Sequence, residues 1–90
     1  MKQAHVFISG SVQGVGYRQF VKHTARKLDL TGWVRNTEDG GVEAVLQGEE
    51  SMIEVMIEQC KKGPILSEVE HCGYEWEESE EVYDNFKLLT

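Results

Sequence analysis

Ninety residues with 40% apolar and 28% charged side chains suffice for one modest core and not two, so the chain is read as a single domain over 1–90. A formal charge of -7 opposes nucleic acid, whose phosphate backbone would be repelled at long range. No apolar run approaches the ~20 residues of a membrane span, "MKQAHVFISG" lacks a secretory pattern, and Cys60 and Cys72 show no CxxC spacing, so a cytoplasmic protein with reduced thiols is expected.

In chain order, "AHVFISG" is apolar and β-branched, with Val6 and Ile8 on one face, and predicts a strand ending at Gly10. From Tyr17 to about Asp29 the residues Tyr17, Phe20, Val21, Thr24 and Leu28 recur at spacings of three and four, the pattern of an amphipathic helix. "LTGWVRNT" and "TEDGGVEAVLQG" read as two strands joined at Asp39-Gly40, a pair suited to a tight hairpin turn whose central residues take positive φ. In "GEESMIEVMIEQCKKGP", Met52, Ile53, Met56, Ile57 and Cys60 form an apolar stripe. Acids open this segment, and Lys61, Lys62, Gly63 and Pro64 close it, as the helix dipole and the usual stop signals require. A strand over roughly Ser67 to Trp76, with a turn around Gly73 left open, an acidic loop "EESEE" and a short strand "NFKLL" complete the chain.

Two split βαβ units in this order predict an α+β fold, a ferredoxin-like βαββαβ sandwich. It has an antiparallel sheet, two helices on one face and a short extra C-terminal strand.

The stretch "SGSVQGVGYR" breaks local rules. It holds three glycines within seven positions, and no Ser, Thr, Asp or Asn precedes the helix to cap its first N–H groups. Arg18 stands in the first turn, where the positive end of the helix dipole disfavours a cation. Neither nucleotide pattern fits: a dinucleotide fingerprint through Gly14 and Gly16 needs glycine where Gln19 stands, and a P-loop needs lysine and a hydroxyl where Tyr17 and Arg18 stand. What remains is a strand-to-helix loop able to turn N–H groups inward around one phosphate-sized anion, with Arg18 as a bidentate grip. The plainer alternative is a strained turn with the arginine reaching to water. Residues 1–36 carry +5 and residues 37–90 carry -12, a split that alone reads first as helix faces solvated by lysine and arginine, and in its sharper reading as a local positive field around the loop that would favour a small anion.

"GSVQGVGYR" together with "GWVRNTEDGGVEAVLQG" resembles the two signature segments of the acylphosphatase family, and the spacing between Arg18 and Asn36 matches as well. The resemblance covers nearly the whole chain and is weakest after Ser67. It implies metal-independent hydrolysis, without cofactor or covalent intermediate, of a small acyl phosphate to a carboxylate and inorganic phosphate. By position, the backbone of Gln13, Gly14, Val15, Gly16, Tyr17 and Arg18 would hold the phosphoryl group with the Arg18 side chain, and Asn36 would orient the attacking water. Tyr17 departs from the phenylalanine common at its position by one hydroxyl. A monomer inhibited competitively by phosphate is expected. The histidines His5, His23 and His71 form no metal or triad spacing and are read as structural or surface residues.

Two rivals are weighed. A phosphate-binding module without turnover, such as occurs inside larger carbamoyl-transfer proteins, would have no need of Asn36. A ferredoxin-like RNA binder should expose aromatics on its third strand, and "GVEAVLQG" has none.

Overall fold

The computed structural model describes residues 1–89, and its first strand, β1 (Lys2–Ser11), sets the sides of the sheet. Ala4, Val6 and Ile8 are buried on one face of β1, while His5 and Phe7 point to the other. Helix α1 (Tyr17–Lys27), strands β2 (Thr31–Asn36) and β3 (Val42–Gln47), helix α2 (Glu50–Lys62), β4 (Glu68–Glu78) and β5 (Phe86–Leu88) follow. The sheet runs in the order β4-β1-β3-β2-β5. Every pairing is antiparallel except the last: β5 joins β2 in parallel, Phe86 opposite Gly32.

Both helices pack on one face. Tyr17, Val21 and Ala25 of α1 and Ile53, Met56, Ile57 and Cys60 of α2 meet Ala4, Val6, Ile8, Val34, Ala44 and Leu46 of the sheet in one core. The expected ferredoxin-like βαββαβ architecture with a short added strand is therefore present, and the methionine stripe is core.

All six residues of β3 are buried, not only the alternate ones, because the helix-free face is covered there too. His5 and Trp33 lie directly across from Val45 on either side, with their rings 6.1 Å apart. Gln47 donates to the Glu81 carbonyl at 2.9 Å and accepts from the Tyr83 N–H at 3.2 Å, which holds residues 81–83 over that end of the sheet. Beside them Glu43 receives Arg35 (2.6 and 2.7 Å) and lies 2.5 Å from His5 Nε2.

Three details differ from the sequence expectations. The β2–β3 connection is a five-residue turn, Thr37 to Gly41, in which Gly40 has φ 93 but Asp39 does not have positive φ. The Asp39 carboxylate instead accepts from the Thr37 hydroxyl and the Gly41 N–H, a local bond that stabilises a longer turn. Helix α1 ends at Lys27, where Asp29 adopts φ 57 and the Leu30 N–H returns to the Ala25 carbonyl at 2.9 Å. Strand β4 runs straight through Gly73 without a turn and extends to Glu78.

Candidate active site

The loop from Val12 to Gly16 joins the end of β1 to α1. Gly14 (φ 74) and Gly16 (φ 80) both take left-handed backbone, and a Cβ at either would meet nothing within 4 Å. Glycine is needed here for the path of the chain, not for room. The path leaves a run of donors unused. Among the described residues the N–H groups of Gly14 to Gln19 find no hydrogen-bond acceptor, and the first helical bond is Phe20 N–H to the Gly16 carbonyl at 3.0 Å. Gly16 caps α1 without a side-chain bond, and its first turn holds no acidic residue. Unpaired N–H groups at the positive end of a helix dipole favour an anion.

Asn36 closes β2 and faces the same place. Arg18, Asn36, Gly14, Gly16, Tyr17 and Leu88 line one pocket of about 140 Å³. The Arg18 guanidinium is anchored there by donating from Nη1 to the Leu89 carbonyl at 2.9 Å. The Asn36 Oδ1 is buried and, among the described residues, has no hydrogen-bond partner. A buried acceptor left unpaired costs about 1 to 3 kcal/mol, so its donor is expected to come from whatever enters the pocket.

Of the residues expected to form the cradle, Gln13 and Val15 do not line the pocket. Val15 packs against the core, and the Gln13 amide donates to the Thr37 and Gly41 carbonyls at 2.9 and 2.8 Å, tying the loop to the β2–β3 turn. Leu88 and Gln19 line the pocket and were not foreseen; Leu88 arrives through the parallel pairing of β5 with β2. Tyr17 lines the pocket, but its hydroxyl is committed elsewhere. Its hydroxyl donates to the Cys60 carbonyl at 2.6 Å, and burial pushes its pKa far up, so it stays protonated. Burial likewise pushes the Cys60 thiol up to about 12, and both cysteines are free. His5 belongs to the ion pairs of the open face, and His23 and His71 are exposed.

The pocket thus offers one cation, unpaired N–H donors, the neutral amides of Gln19 and Asn36, and no carboxylate, imidazole or thiol. Among the described residues no group of three or more His, Cys, Asp or Glu is placed to hold a metal ion. A larger cleft of about 500 Å³ lies on the helix-free face beyond the β2–β3 turn and contains neither Arg18 nor Asn36. Arg18, Asn36 and the loop glycines come together only in the smaller pocket.

Comparison with known proteins identifies the family and the fold. A family model described as Acylphosphatase matches residues 4–88. A curated relative named Acylphosphatase from Roseiflexus sp. (strain RS-1) is 49% identical over 99% of this chain and 96% of its own. The crystal structure of acylphosphatase from Bacillus subtilis superposes with a TM-score of 0.95 at 36% identity, covering 100% of both chains. Full-length HypF, solved in a phosphate- and nucleotide-bound form, matches all of this chain with 12% of its own length, at 35% identity and a TM-score of 0.84. With the family model matched from the first strand to the last and a relative nearly half identical along its whole length, the chain belongs to the acylphosphatase family.

Proposed function

We propose that this protein hydrolyses small acyl phosphates, with the N–H groups of Gly14, Gly16, Tyr17 and Arg18 and the Arg18 guanidinium holding the phosphoryl group and Asn36 orienting the water. The observation that carries this reading is the unpaired, buried Asn36 Oδ1 set in the same pocket as Arg18 and the unpaired N–H groups.

The mechanism follows from what the pocket supplies. Water attacks phosphorus opposite the bond to the acyl oxygen; that P–O bond breaks and its electron pair leaves with the carboxylate. An acyl phosphate has a good leaving group, so placement and charge stabilisation carry most of the work. Donors already in position around the equatorial oxygens act there without reorganising. Asn36 accepts one water hydrogen at Oδ1 and so directs a lone pair at phosphorus. An amide is too weak a base to take the proton, and no stronger base lines the pocket, so the proton passes to an oxygen of the substrate itself. The products are a carboxylate and inorganic phosphate, and phosphate competes with substrate for the same donors. The donor set supports a reaction that needs no metal.

The protein acts as a monomer in this reading, because one chain supplies every residue of the site. Two free cysteines suit the reducing cytoplasm. No helix among the described residues is long and apolar enough to cross a membrane.

Asn36→Ala tests the assignment. Its kcat is expected to fall about a hundredfold or more, the loss typical of one positioned polar group, while the inhibition constant of inorganic phosphate changes little. Unchanged kcat in that variant would remove Asn36 from the mechanism.

A further inference from the structure

The larger cleft on the helix-free face has its own construction. Its floor is made by two cross-strand rows of the sheet: Phe7 opposite Gly73, then Ser9 opposite His71. One wall is the β2–β3 turn with Thr37 and Asp39, and the other is the start of β4 with Glu70 and His71. The segment that covers the rest of this face, residues 81–83, is held over Gln47 and Trp33 and does not line the cleft.

A β-bulge shapes the second wall. Ser9 pairs with His71 but Gly10 pairs with Val69, so Glu70 is the extra residue. The bulge sets Glu70 beside His71 along the rim of the cleft. The floor is equally specific. Phe7 leaves 43% of its surface exposed, and Gly73 across from it carries no side chain to cover the ring. The Phe7 ring, stacked on His5 with centroids 4.5 Å apart, thus brings exposed aromatic surface into a cleft of about 500 Å³, within the size range of small-molecule sites.

The charge in the cleft has one sign. Asp39 and Glu70 supply carboxylates, and no lysine or arginine lines it. The Thr37 hydroxyl and the Gly41 N–H hold the Asp39 carboxyl below its usual range, so it is ionised at neutral pH. The nearest cation along the sheet, Arg35, lies in the Phe7–Glu43 row and is taken up by Glu43. A substrate phosphate would be repelled here, so this cleft is not an extension of the catalytic pocket.

We propose that this cleft binds a small organic cation with a flat apolar body, its charged end between Asp39 and Glu70 and its body on the Phe7 ring. Carboxylates beside an aromatic face attract such ligands twice, by ion pairing and by the ring quadrupole. The site is independent of catalysis and stands whether or not the reading of the pocket at Arg18 does.

Benzamidine is the probe, with neutral benzamide as its control, followed by amide chemical shifts of the ¹⁵N-labelled protein. Saturable shifts confined to Phe7 to Gly10, the 37–42 turn and residues 70–73 are expected. The dissociation constant should be on the order of 1 mM, the range open to so small a ligand. Benzamide should bind about tenfold more weakly or not at all, and Glu70→Gln should weaken benzamidine by a similar factor. Gly73→Val, where an added Cβ meets nothing within 4 Å, should fill the floor and abolish binding while the spectrum remains folded. Absence of saturable shifts, shifts centred elsewhere, equal binding of benzamide, or full affinity in Gly73→Val would each overturn the proposal. Glu70→Gln at full affinity would do the same.

Discussion

The Tyr17 hydroxyl serves the far end of α2. The Cys60 carbonyl would ordinarily accept from the N–H four residues on, but that residue is Pro64, which has none, and the phenol donates in its place at 2.6 Å. The Tyr17 hydroxyl is therefore a cap for a helix that proline ends. Tyr17→Phe should lower stability by about 1 kcal/mol, the net value of one neutral hydrogen bond, and the melting temperature by several degrees. Its kcat should stay near that of wild type, because the hydroxyl points away from the pocket; a large loss of kcat with an unchanged melting temperature would contradict this. Glu43 offers a second test. Burial pushes its carboxyl up, but hydrogen bonds from His5 and Arg35 and the Arg35 charge outweigh burial and hold it below the usual glutamate range. A group whose folded pKa is depressed stabilises the fold above its unfolded pKa, and that stability is lost as pH falls through the folded value. Glu43→Gln should therefore cost about 1 to 2 kcal/mol at pH 7, with the gap to wild type closing as the pH drops below the glutamate range. Thermal melts across pH check it, and a gap that widens in acid would refute it.

At the scale of elements, the loop before α1 carries the account. Gly16→Ala would force a left-handed non-glycine residue at the helix start, costing about 1 to 2 kcal/mol without any steric clash. If the backbone relaxes to avoid that cost, the N–H groups turn away from the pocket. Phosphate affinity and turnover should then fall together, and retention of both would mean that the cradle does not depend on this backbone path. The loop was legible from sequence because its signals are local: glycines, an uncapped helix start, and an arginine at the wrong end of a dipole. Elements whose form depends on distant partners were not. Gly73 reads as a break, yet the strand continues because β1 pairs along its whole length and Phe7 lies opposite the glycine. The Asp39-Gly40 pair signals a two-residue turn, but bonds from Thr37 and Gly41 to the Asp39 carboxylate select a longer one. Leu88 could not be placed in the pocket without knowing that β5 pairs in parallel with β2.

At the scale of the whole molecule, the site draws on the 12–18 loop, the end of β2 and the last strand, so it is complete only when the β5 edge of the sheet is in place. The charge asymmetry read from the sequence also takes a spatial form. Cations cluster in the third of the chain that builds the pocket, while Glu68, Glu70, Glu75, Glu77 and Glu78 line β4, the edge strand at the far side of the sheet. Charges along an edge discourage pairing with other chains, which supports the proposal of a monomer. The central claim is that this pocket hydrolyses acyl phosphates through Arg18, without metal. It is tested most directly by hydrolysis of benzoyl phosphate in the presence of a chelator, by wild type and by Arg18→Gln, with phosphate binding measured on both. The account predicts rapid turnover by wild type under chelation, and loss of both turnover and phosphate affinity in the variant. Phosphate binding that depends on Arg18 without any turnover in wild type would contradict it and leave the pocket a receptor.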